Sequence, residues 1–254
     1  MTAKSLILFH VNPLYGLKAS DFLNDTTNSV FQIVLQEGHF ELKNLIDKTE
    51  ENKPFVSSSF DGVLAAAHTV VISDSMFTEN SFLIETENFL REGLPSLVKY
   101  YEAGGNVMVH CAEGVYEIGN LLSASFGTKW QLGAIESTKC IPTSKGLELL
   151  GIEPFEAYLS GKVHFMKTSP DEGIVAYNMY KNKEEFFNEN DLDPDEPEDD
   201  AEESWQRYLQ QYEHQHAVAF YKGGNGMIIW NGDRGQNTEM QGVFMKLLQL
   251  SSKE

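Results

Sequence analysis

Several short runs of continuous apolar residues constrain the fold, because each is followed by a turn and then by residues at helical spacing. These runs are SLILFHV at 5–11, HTVVIS at 68–73 and NVMVHC at 106–111. Short apolar runs without polar alternation are typical of strands buried on both faces of a sheet. Strands that alternate with helices form a parallel sheet with helices on both faces. The pattern therefore predicts an α/β fold.

The second half of the chain predicts further strands and a final helix. Residues 161–168 and 173–180 are interpreted as strands, and residues 127–151 as a mostly polar stretch. HAVAFYKGGNGMIIWN at 216–231 predicts a C-terminal hairpin, since Asn-Gly is a strong turn signal between two apolar runs. EMQGVFMKLLQL at 239–250 has the apolar spacing of an amphipathic helix.

One acidic segment interrupts this pattern at about residues 184–204. Its first 20 residues include 12 acidic ones, and two prolines lie among them. We interpret the segment as a mobile loop inserted into a single domain of residues 1–254. Five of its acidic residues follow the spacing of a calcium-binding loop, namely Asp191, Asp193, Asp195, Asp199 and Glu202. Glu196 replaces the glycine that such a loop needs, which favours a solvated loop or a contact with a protein partner.

The charge of the chain narrows the classes of partner. With 38 acidic and 19 basic residues, the formal net charge is −19, which repels nucleic acid and anionic membranes. The apolar runs are too short for a membrane span, and SLILFHV lacks the cleavage site of a signal peptide. With only two cysteines, a reducing cytoplasm is the expected compartment. We expect no cofactor and no metal site, and a homodimer is compatible with the sequence.

The segment GGNVMVHCAEGVYEIGNLL at 104–122 holds the most informative candidate residue. A strand ends at Cys111, and Ala112, Glu113 and Gly114 lead into a predicted helix. Backbone N–H groups and the helix dipole stabilise an anion at such a turn, so a thiolate there would have a lowered pKa. Cys111 is therefore a candidate nucleophile, and the three residues after it are candidate binding residues. Free cysteine is also among the most buried residue types, so a packed strand end is the alternative.

The segment VHCAEGVYEIG also resembles the phosphate loop of cysteine-dependent protein phosphatases. In that family an arginine follows the cysteine after five residues, and here that position is Glu117. A carboxylate there removes the bidentate phosphate clamp and repels a dianion, which argues against phosphatase activity.

Most of the chain resembles the class I glutamine amidotransferase-like superfamily, including its ThuA-like and other branches without glutaminase activity. The phrases that carry the resemblance are FDGVLAAAHTVVISD, YYEAGGNVMVHC, LLSASFGTKW and HAVAFYKGGNGMIIWNGD. The resemblance implies a flavodoxin-like, mostly parallel sheet with helices on both faces and a C-terminal hairpin. It also implies a functional turn directly after the strand that contains Cys111.

Two departures from the superfamily argue against a standard glutaminase. Active members place the nucleophile in a G-x-C-x-G turn, whereas Val109 and Glu113 flank Cys111 here. They also carry a late His-x-Glu pair, in which the histidine is the base. The late histidines of this chain are His214 and His216, and no glutamate follows them at that spacing. Both stay candidate bases for Cys111. They could also form a metal pair, but no third ligand is evident.

Two polar loops should lie at the same edge of the sheet as Cys111. SDSMFTEN follows the strand at 68–73, and NGDRGQNTE follows the hairpin. Asp74 and Asp233 are therefore candidate binding residues, with Arg234 and Glu239 as further pocket candidates. Turn formation and helix capping would explain the same residue types.

These observations predict a divergent member of the superfamily with a site centred on Cys111. The site would bind a small molecule or hydrolyse an amide or ester through the Cys111 thiolate. The alternative is a catalytically inactive scaffold that uses the acidic segment to bind a protein partner. The sequence leaves open whether the protein is an enzyme.

Overall fold

A computed structural model of the chain describes residues 4–9, 40–44, 61–62, 64–65, 67–73, 89–111, 117–177, 184–186, 198–233 and 238–250. The strands are β1 (Lys4–Phe9), β2 (Phe40–Asn44), β3 (Thr69–Ser73), β4 (Asn106–His110), β5 (Gln131–Pro142), β6 (Ala157–Lys167), β7 (Gly173–Tyr177), β8 (Gln215–Tyr221) and β9 (Met227–Asn231). The α-helices are α1 (Leu94–Glu102), α2 (Ile118–Phe126), α3 (Ser144–Leu150), α4 (Glu198–Tyr212) and α5 (Thr238–Gln249). A π-helical turn, Phe89–Gly93, precedes α1, and a 3-10 turn, Pro170–Glu172, precedes β7.

Five strands pair in parallel, in the order β2-β1-β3-β4-β9. The central strands of this parallel sheet are fully buried at Val70 to Ile72 of β3 and at Val107 to Val109 of β4. Burial on both faces explains why these strands are continuous apolar runs in the sequence. β9 is the last strand of the chain, yet it lies beside β4 in the interior of the sheet.

The remaining strands pair antiparallel and close on each other. β8 pairs with β9 on one side, and it also pairs with both β6 and β7. β5 pairs with β6 and with β7 as well. β5, β6, β8 and β7 therefore form a closed, barrel-like ring of antiparallel strands, which we call the antiparallel ring.

The prediction of a flavodoxin-like, mostly parallel sheet is wrong. Among the described residues, five strand pairings are antiparallel and four are parallel. The error arose largely at β5, which lies in the stretch interpreted as polar. β5 is half-buried over much of its length and carries Glu136, Thr138 and Lys139, so it lacks the apolar run of a strand buried on both faces. Its pairing with distant strands also leaves no local signal in the sequence.

Two hydrophobic clusters hold the sheet, one on each face of the parallel strands. The first contains Val71, Met108 and Ile229, together with apolar side chains of the antiparallel ring and of α5. The second contains Val70, Val109 and Trp230, together with apolar side chains of α1 and α2. This alternation along each strand follows from the two-residue period of β structure. Each fully buried large side chain contributes about 1.5–3 kcal/mol to folding.

The acidic segment is partly helical. α4 begins at Glu198, so the last residues of the predicted loop belong to a helix. Acidic residues in a first turn favour helix formation through the helix dipole. Trp205, Tyr208 and Tyr212 recur at helical spacing, which the high charge of the segment obscured in the sequence. Residues 187–197, which hold most of the calcium-like spacing, lie outside the described residues.

Within the described ranges, every helix is too short or too polar to cross a lipid bilayer.

Candidate functional site

The carboxyl ends of β3, β4 and β9 lie side by side. Ser73 pairs with His110, and His110 pairs with Asn231, so the three parallel strands end at one edge of the sheet. Parallel sheets commonly bind ligands at this edge, because loops and helix N-termini converge there. We call it the carboxyl edge.

Cys111 lies directly at the carboxyl edge. Its backbone N–H donates to the carbonyl oxygen of Asn231 at 2.8 Å, which extends the pairing of β4 and β9 by one residue. Its side chain is fully buried in the cluster that also contains Val109 and Trp230. The described surroundings of the thiol are therefore apolar on the side of this cluster.

Several predicted binding residues lie outside the described residues. They are Ala112, Glu113, Gly114, Asp74 and Arg234. Their assignment to the site stays a prediction. Asp233 is described and is buried at the carboxyl edge, two residues beyond the end of β9. Glu239 is exposed in the first turn of α5.

A buried polar network at the carboxyl edge was not predicted. Nδ2 of Asn231 lies 3.0 Å from Nδ1 of His110, and the backbone N–H of Asp233 donates to Oδ1 of Asn231 at 3.3 Å. Since Oδ1 accepts, Nδ2 is the donor, and Nδ1 of His110 accepts its hydrogen bond. A neutral His110 ring then carries its proton on Nε2. The network fixes both the tautomer and the orientation of this ring.

His110 points to the opposite face of the sheet from Cys111. Its ring makes an edge contact with Phe244 of α5, at a centroid distance of 6.2 Å. This agrees with the alternation of side chains along a strand. The sequence signal for the network was a polar residue at the end of two buried runs, His110 after VMV and Asn231 after IIW.

The second cysteine, Cys140, is buried in the first cluster, on β5. Burial raises the pKa of its thiol well above the usual range, and the negative charge of Asp233 raises it further. Cys140 therefore stays a neutral thiol.

The two predicted bases, His216 on β8 and His214 just before β8, have different environments. His216 is buried, and its Nδ1 lies 2.9 Å from Oγ1 of Thr168. Its Nε2 faces Gly173, where an added Cβ would overlap with the ring. His214 is exposed, has a left-handed backbone with φ of 60°, and its Nε2 lies 3.2 Å from Oε1 of Glu213. The described contacts thus hold both rings through groups other than Cys111, and their role as bases stays a prediction.

His216 should make the stability of the protein depend on pH. Burial, and secondarily the neighbouring His214, lower the pKa of His216 from 6.5 to about 4. Between pH 6.5 and 4 the unfolded chain binds a proton at this position that the folded protein does not bind. The free energy of unfolding should therefore fall with decreasing pH, by up to about 1.4 kcal/mol per pH unit from this group.

Urea unfolding of the wild type and of a His216→Gln variant between pH 7 and 4 tests this expectation. The difference in unfolding free energy between the two should shrink as the pH falls through this window. His214→Gln should weaken the pH dependence only in part, because the neighbouring His214 is the secondary cause of the lowered pKa of His216. A constant difference between wild type and His216→Gln would contradict the expectation.

No group of three His, Cys, Asp or Glu side chains in the described part of the chain is arranged to hold a metal ion. No model of a known protein family matches the chain, and no curated protein matches it. The resemblance to the class I glutamine amidotransferase-like superfamily therefore rests on its sequence phrases and stays a prediction.

Proposed function

We propose that the protein binds a small polar molecule at the carboxyl edge of β3, β4 and β9. The observation that carries this proposal is the buried network of His110, Asn231 and Asp233 at the ends of two adjacent parallel strands. The three residues are buried, and hydrogen bonds among them fix their orientation. Polar groups of this kind, gathered at the ligand-binding edge of a parallel sheet, favour a site over packing alone.

The chemistry of the network indicates the class of ligand. The Asp233 carboxylate, buried beside the network, is a negatively charged hydrogen-bond acceptor, and the chain carries a formal net charge of −19. Both features disfavour an anion and favour a neutral molecule with several donors, such as a sugar or a primary amide.

Thermal unfolding with D-ribose, D-glucose and L-glutamine as probes tests the proposal. A ligand at about 100 times its Kd stabilises the folded state by about 2.7 kcal/mol, which should raise the Tm by several degrees. Asp233→Asn removes the carboxylate with little change of shape and should abolish this rise. Glu148→Gln, at an exposed position on α3, should retain it. The proposal fails if no probe raises the Tm, or if Asp233→Asn responds like the wild type.

A cysteine-dependent hydrolase is the second candidate, favoured by the position of Cys111 immediately after β4. In this case iodoacetamide should modify Cys111 in the folded protein, with an apparent pKa well below the usual value of about 8.5. Cys140 is the internal control and should stay unmodified, because burial and Asp233 keep its thiol neutral. Mass spectrometry measures both sites in one sample. Equal inertness of the two thiols would exclude the nucleophile and leave the binding proposal standing.

A further inference from the structure

A continuous set of aromatic rings extends from the first hydrophobic cluster, where Tyr177 is buried, to α4. We call it the aromatic ladder, and it consists of Phe186, Trp205, Tyr208, Tyr212 and Tyr177. Trp205 stacks on Tyr208 at a centroid distance of 5.2 Å, and Tyr212 stacks on Tyr177 at 4.2 Å. Tyr208 contacts Tyr212 at 5.1 Å and joins the two stacks.

A carboxylate lies at one end of the aromatic ladder. The hydroxyl of Tyr212 donates to Oε1 of Glu136 at 2.8 Å, and the hydroxyl of Tyr177 donates to Oε2 at 3.1 Å. Glu136 is only partly buried, and among the described residues no basic side chain forms an ion pair with it. A carboxylate can accept about four hydrogen bonds, so acceptor capacity is left on both oxygens. Hydrophobic packing accounts for the contacts among the aromatic rings, but it does not account for the Glu136 carboxylate at their end.

Part of the aromatic ladder reaches the surface at α4. The rings of Phe186, Trp205, Tyr208 and Tyr212 are half-buried, and Leu209 on the same face of α4 is 40% exposed. Glu202 and Glu203 are exposed on α4, where Glu203 also forms an exposed ion pair with Arg207 at 3.6 Å. Ring faces and carboxylates both attract cations.

We propose that this face binds a lysine- and arginine-rich segment of a partner protein. Basic side chains would lie against the rings and reach the free lone pairs of Glu136. The ladder is longer than the one or two rings that a small ammonium ion can contact, whereas an extended basic segment can contact the rings and the acidic residues together. The net charge of −19 would steer such a partner toward the protein and would make binding weaken with added salt.

Trp205 provides a direct readout, because the other two tryptophans, Trp130 and Trp230, are 1% and 0% exposed. The probe is a tryptophan-free peptide that alternates lysine with alanine, titrated against the whole chain at low salt. We expect a saturable change in tryptophan emission. Glu136→Gln should raise the Kd by about tenfold, as expected for loss of a hydrogen bond to a charged group. Glu102→Gln removes the same charge from α1, which packs on the other face of the sheet, and should change the Kd less than twofold.

Three results would overturn the proposal: no emission change, equal weakening by Glu136→Gln and Glu102→Gln, or saturation by tetramethylammonium with no tighter binding of the peptide. Equal weakening by the two variants would mean diffuse attraction to the acidic surface. Saturation by tetramethylammonium alone would mean a site for a small cation.

Circular dichroism checks the folding of each variant. Leu209→Arg places a repelling charge on the same face of α4 without touching Glu136, and it should also weaken binding at least tenfold. Because the aromatic ladder contains no residue of the carboxyl edge, its failure would leave the proposed small-molecule site untouched.

Discussion

Replacing Gly232 with alanine should destabilise the protein by about 3 kcal/mol or more, at the upper end of what overpacking a core usually costs. A Cβ at this position would overlap with the backbone oxygen of His164, an atom that cannot move independently of β6. That oxygen accepts a hydrogen bond from Nε1 of Trp230 at 2.9 Å. The backbone oxygen of Gly232 also accepts from the N–H of His164 at 3.2 Å. The substitution would therefore separate β6 from the end of β9.

The matched control for this change is Gly242→Ala. Gly242 is exposed within α5, and an added Cβ there would meet nothing within 4 Å. Alanine in a helix interior is favoured over glycine by about 0.5–1 kcal/mol, so this variant should be slightly more stable than the wild type. Urea unfolding measures both. Similar stabilities for Gly232→Ala and the wild type would show that β6 and β9 are not in the contact described.

The second large effect should come from Phe165→Ala, with a loss of about 3–5 kcal/mol. Phe165 is fully buried in the first cluster, and its ring packs edge-on against Tyr177 at a centroid distance of 5.3 Å. Truncation would leave a cavity in the first cluster, beside Tyr177 of β7. The surrounding strands are closed on each other, so they can collapse into this cavity only partly.

Tyr158→Ala is the control within the same strand. Tyr158 is 61% exposed, and exposed substitutions usually change the free energy of unfolding by less than about 0.5 kcal/mol. Urea unfolding of both variants should show a lower midpoint for Phe165→Ala and little change for Tyr158→Ala. Equal effects would contradict the burial of Phe165.

The sequence predicted single elements better than their arrangement. The strand predicted at 68–73 is observed as Thr69–Ser73, and the last helix is observed as Thr238–Gln249. Both have a strong local period, all apolar for the strand and amphipathic for the helix. β5 has neither, because its polar and apolar residues share a half-buried surface. Which strands pair, and in which direction, depends on contacts between residues far apart in the chain, so the antiparallel ring left no local pattern.

At the candidate site, too, the sequence predicted the positions of single residues but not the contacts between them. Cys111 and Asp233 were placed at the carboxyl edge because residues after parallel strands gather there, and both described positions lie at that edge. His110 and Asn231 were missed as a pair, since a hydrogen bond between two buried side chains depends on the register of β4 and β9. Trp205, Tyr208 and Tyr212 follow directly after the predicted loop at 184–204, and no helix was predicted there.

The central position of β9 has a consequence for the order of folding. The hydrogen-bonding edge of β4 stays open until β9, which follows every other strand in the chain, has been synthesised and has inserted beside it. Contacts between such distant residues form slowly, and an open edge of an apolar strand can pair with other chains meanwhile. Until β9 has been synthesised, the apolar edge of β4 is therefore exposed to pairing with other chains, and the N–H of Cys111 lacks its acceptor on Asn231.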